Sequence, residues 1–79
     1  MITPEIANQV LHHFDPSQGY PAGGFMSDLI ALIGKADPRN KARLGIGFGG
    51  YVQAVMLAQE EVDGIDRLKY IAAGEKVTH

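Results

Sequence analysis

The chain has 79 residues, no cysteine and a formal net charge of -2, which leaves one small domain without disulfides or cysteine zinc sites and without bulk affinity for nucleic acid. A domain of this size hides only about 60% of the surface its unfolded form exposes, and its core rarely contributes more than about 3–5 kcal/mol, so a partner chain is the remaining route to extra burial. No run reaches the ~20 apolar residues of a membrane span, and the opening MITPEIANQ lacks the basic and apolar regions of a secretory signal.

Thr3-Pro4-Glu5 predicts a helix start. Thr3 can cap free N–H groups, Pro4 suits the first helical position, and Glu5 suits the positive end of the dipole. Ile6, Val10 and Phe14, with Ala7 and Leu11 beside them, form a stripe at helical spacing. Asp15-Pro16 ends this helix, because the residue before proline is pushed out of the helical region. An ordered loop is expected from Ser17 to Gly24, pinned by Tyr20 and Pro21 packing inward. Gly23 or Gly24 opens the second helix. Phe25, Met26, Leu29, Ile30 and Ile33 form its apolar face, and Leu32 lies outside it.

Asp37-Pro38 repeats the cap-then-proline start for a third helix through Leu44. Gly45, Gly47, Gly49 and Gly50 then interrupt the line of Leu44, Phe48, Val52 and Val55. Each interior glycine costs about 1 kcal/mol relative to alanine, which predicts a kink or break near Gly49-Gly50. Helix resumes from Tyr51 to about Glu61. Asp63 is expected to cap a last helix from Ile65 to Ala73, with Ile65, Leu68 and Ile71 or Ala72 inward and Asp66 as a capping-box acid. Gly74 is placed as a left-handed terminator, and residues from 75 onward as frayed. The expected fold is all-α: four to five short helices in a compact bundle around a glycine-kinked central helix, one domain over 1–79.

Few residues point to chemistry. Gly45 to Gly50 satisfies GxGxxG formally, but the charged helix DPRNKARL precedes it where a nucleotide site needs a strand. His12 and His13 are adjacent, so on a helix they point about 100° apart and cannot share a metal. Ser27-Asp28 and Thr78-His79 lack a paired base and orienting acid. No enzyme activity, cofactor or metal is expected. Lys35, Arg39, Lys41 and Arg43 form a basic patch around a helix–turn–helix-like junction, with Arg39 and Arg43 one turn apart. Such residues suit phosphates or an acidic protein partner. Asp37 within the cluster and the negative net charge weigh against nucleic acid.

The central stretch carries a recurring order of residues: Pro21-Ala22-Gly23-Gly24-Phe25, Leu29-Ile30, Ala36-Asp37 with Asn40, Arg43-Leu44, Phe48, Gly50-Tyr51-Val52 and Asp63-Gly64-Ile65. In this it resembles small proteins of unknown function from phages of actinobacteria and from their hosts' genomes. The resemblance runs from Tyr20 to Leu68. Gly49 stands where that pattern often has proline. The resemblance carries no activity; it implies a phage or prophage origin and an accessory, host-facing role.

The expected function is therefore a non-enzymatic protein-interaction module in the cytoplasm, the host's if the chain is phage-encoded. Its partners are a second copy, as a dimer, or a host protein. The interface is expected at Leu32, Ile46, Phe48, Tyr51, Val52 and Val55, which put apolar side chains on more than one face of the central helices. The alternative is a small DNA-binding regulator using Lys35, Arg39, Lys41 and Arg43.

Overall fold

In the computed structural model, which describes residues 1–74, both cap-then-proline signals open helices. Thr3 Oγ1 accepts the Ile6 N–H at 3.2 Å ahead of α1 (Pro4–Phe14). Asp37 Oδ1 accepts the Asn40 N–H at 2.7 Å ahead of α3 (Pro38–Glu60). Each cap satisfies a donor that the first helical turn leaves free. Between them lies α2 (Gly24–Lys35), and α4 (Gly64–Ala72) follows. Among the described residues there is no strand, so the all-α bundle is the fold. The 74% helical content comes with a radius of gyration of 11.8 Å, close to the roughly 12 Å of a compact domain of this length.

The core is Ala7, Val10 and Leu11 of α1, Leu29, Ile30 and Ile33 of α2, Val52, Ala54 and Val55 of α3, and Leu68 of α4. These fall on the stripes expected for the first, second and last helices, although Phe14, expected on the first of them, is exposed. Among the described residues no polar or charged side chain is buried, so the interior owes its stability to apolar burial and packing. Ile6 and Ile71 pack against this core from the edge.

Several expectations are corrected. Phe25 was expected on the inner face of α2 but is 70% exposed, with its ring centroid 6.4 Å from that of Phe48. Pro21 is exposed, whereas Tyr20 is half-buried as expected. Asp63 precedes α4 without a side-chain cap bond. Gly74 is not left-handed; among the described residues Gly19 alone has positive φ, at 59°. The expected fraying from 75 lies outside the described residues.

The largest departure is in α3. Its break falls at Phe48, with φ -131° and ψ 42°, next to the expected position near Gly49-Gly50. The break is far sharper than a kink. In a straight helix Lys41 and Glu60 would stand about 28 Å apart. Instead Lys41 Nζ lies 3.6 Å from Glu60 Oε2 and 3.4 Å from Gln59 Oε1. The helix folds back on itself at one residue, giving a first arm (38–47) and a second arm (49–60). Gln59 Nε2 also donates to the Gly34 carbonyl at 2.8 Å, tying the second arm to the end of α2. A cleft of about 430 Å³ opens between the arms, lined by Lys41, Ala42 and Gly45 on one side and Gly49, Val52 and Met56 on the other.

Candidate protein-interaction surface

The fold-back leaves the outer side of the first arm without a covering element. Its residues Arg39, Ala42, Arg43 and Ile46 are all exposed, Ile46 at 89%. Their spacing of three, four and seven residues puts them on one face. Next to this ridge runs a groove of about 560 Å³ between α2 and the first arm. Leu32, Ala36 and Leu44 supply apolar surface, and Lys35 and Arg43 supply charge. The groove exists because Leu29 and Ile33 take the core side of α2, which turns Leu32 outward at 47% exposure. Arg43 Nη1 donates to Asn40 Oδ1 at 3.3 Å, which holds its guanidinium over the arm. Toward the bend, Phe25 and Phe48 pair with ring centroids 6.4 Å apart.

The residues expected at an interface do not stay together. Leu32 and Ile46 are open to solvent. Phe48 is half-buried at the bend. Val52 and Val55, at 6% and 0% exposure, belong to the core of the single chain. They were read as one line with Leu44 and Phe48, and the fold-back breaks that line. Tyr51 is half-buried too, and its hydroxyl donates to Gln9 Oε1 at 2.7 Å. It fastens the second arm to α1. Gly50 also serves the single chain, because a Cβ there would lie 2.6 Å from the Met1 carbonyl oxygen.

The basic patch divides as well. Lys35, Arg39 and Arg43 are exposed. Lys41 is not part of a free patch; its side chain, 16% exposed, is turned into the cleft toward Glu60.

No family model matches this chain, and no curated protein or solved structure matches it. The reading of the site therefore rests on its own geometry.

The glycine run lies inside α3 with helix on both sides, so the strand that a dinucleotide loop requires does not precede it. His12 Nδ1 lies 3.0 Å from the Gln18 carbonyl oxygen, and His13 sits edge-on to Phe14 at 5.1 Å. Among the described residues no group of three metal-ligating side chains converges. No helix among them is long and apolar enough to cross a membrane.

One surface feature escaped the sequence reading. The corner between α3 and α4 carries Glu60, Glu61, Val62 and Asp63, and Val62 is fully exposed. The signal was present: a lone apolar residue at a helix end, flanked by acids. Reading Asp63 as a cap drew attention from it.

Burial, and secondarily the Glu5 charge, hold the Tyr51 hydroxyl above its ordinary pKa of 10.0. A raised folded-state pKa contributes stability that is complete below pH 10.0 and is lost as pH rises through the folded value. Tyr51→Phe is expected to lose about 0.5–1.5 kcal/mol at neutral pH, with its hydrogen bond. It should also flatten the decline in stability above the ordinary tyrosine range. Urea denaturation of both proteins across that range measures this; parallel pH profiles would place Tyr51 outside the α1 contact.

Proposed function

We propose that this chain is a non-enzymatic protein-interaction module that works as a homo-oligomer, most simply a two-fold dimer. The exposure of Leu32 and Ile46 beside each other's elements, on α2 and the first arm, carries this reading. Large apolar side chains left outside a small core mark an interface when they gather on one side. The core itself holds few large side chains, with Ile30, Ile33 and Leu68 the bulkiest that are fully buried, and added burial would stabilise it. The resemblance to actinobacterial phage proteins supports an accessory role in which a host protein is a further partner.

Sedimentation equilibrium is expected to show a species of twice 8.5 kDa at high micromolar concentration. A single 8.5 kDa species over the whole range would overturn the dimer. The DNA-binding alternative draws support from exposed Arg39 and Arg43 on one face. It loses Lys41 to the cleft. A gel shift on random duplex at low salt separates the readings, because phosphate contacts weaken steeply with salt.

A further inference from the structure

The groove and the acidic corner are opposites in charge and shape. The groove has an apolar floor of Leu32, Ala36 and Leu44, with Lys35 and Arg43 at its edge and Arg39 one turn away. The corner inverts that arrangement: Val62 projects fully exposed between Glu61 and Asp63. Among the described residues the ion pair is Lys41–Glu60, and Lys35, Arg39, Arg43, Glu61 and Asp63 form none. Asp37 is the acid of the groove, and its Oδ1 is occupied by the Asn40 N–H at 2.7 Å.

Building on the self-association proposed above, we infer that the occupant of the groove is the 61–63 corner of a second copy. Val62 seats on Leu32, Ala36 and Leu44, while Glu61 and Asp63 face Lys35, Arg39 and Arg43. Each copy carries one groove and one corner, so a two-fold pairing in which each corner enters the other copy's groove satisfies both contacts, the self-complementary pattern of a closed dimer. Exposed charge pairs of this kind add little each; they select the partner and its orientation, and the apolar contact supplies the remainder. A nucleic acid or an anionic lipid would meet the cations but would give Val62 no role.

Charge reversal tests this directly. One variant carries Arg39→Glu and Arg43→Glu, the other Glu61→Lys and Asp63→Lys. All four positions are exposed, and matching thermal melts establish that both variants fold. Alone, each variant places like charges at both contacts, and its self-association by sedimentation equilibrium is expected to weaken at least roughly tenfold. Mixed in equal amounts, each reversed groove meets a reversed corner and each native groove a native corner, so the dimer is expected to return. At about 1 M salt, where charges are screened within ~3 Å, Val62→Ser is expected to weaken the parent dimer further. Variants that dimerise like the parent would overturn this interface and leave self-association standing. Weakened variants whose mixture stays monomeric would overturn it as well. A parent that is monomeric throughout would overturn both the interface and the dimer.

Discussion

Leu68→Ala is expected to leave most of the protein unfolded. Leu68 is fully buried, and it is the one core residue that α4 contributes from its side chains. Truncating a buried leucine to alanine costs about 2–5 kcal/mol, by lost transfer energy and by the cavity left behind. A core this small gives a total of only about 3–5 kcal/mol, so the two quantities are comparable. Tyr70, two positions away and 84% exposed, is the control, and Tyr70→Ala should stay within about 0.5 kcal/mol of the parent. Helical circular dichroism followed through a thermal melt reads both. A Leu68→Ala melt that overlays the parent's would mean that α4 is not docked as described.

Two glycines should respond to alanine with opposite signs. Gly64 is buried where α4 begins, and a Cβ there would run into the carbonyl of Leu57. The obstacle is backbone of the second arm, so it cannot swing aside; α4 would have to shift as a whole. Gly64→Ala is expected to cost about 1–3 kcal/mol or more, the range of forced overpacking. Gly45 is the reverse case. It sits in the first arm of α3, and a Cβ there meets nothing within 4 Å. Gly45→Ala should stabilise by about 0.4–1 kcal/mol, mainly by restricting the unfolded chain. Urea denaturation with unchanged slope is the measurement. Equal effects at the two sites would contradict the close approach of α4 to Leu57.

Helix boundaries were legible because they depend on neighbours in sequence. Thr3-Pro4 and Asp37-Pro38 each place an oxygen next to free N–H groups, and both caps form as expected. The stripe of Ala7, Val10 and Leu11 and that of Leu29, Ile30 and Ile33 were legible for the same reason. The fold-back at Phe48 was not. It needs a change in the dihedrals of one residue, and the four nearby glycines point to a break near Gly49-Gly50 without saying how far the chain turns there. Everything that depends on the turn was then misplaced. Val52 and Val55 moved to the core, Lys41 left the basic patch for Glu60, and Tyr51 found Gln9 on another helix. Leu32 and Ile46 were legible as outward residues because α2 and the first arm are regular there. Val62 was missed because its exposure follows from the corner as a whole.

The first helix is bonded to the last. Asn8 Nδ2 donates to the Ala72 carbonyl at 3.3 Å across 64 residues, and Ala7, Val10 and Leu11 share a core with Leu68. On the ribosome α1 is therefore made well before the last helix that covers it. The part of its apolar face that packs on α4 waits until residue 68 and its neighbours have left the exit tunnel, which at roughly 5–20 residues per second takes seconds. During that time α2 and the arms of α3 can pair with one another, but the enclosure that α4 completes is missing. A nascent chain stalled before α4 therefore leaves the α4-facing side of α1 open to whatever chaperone or protease meets it first.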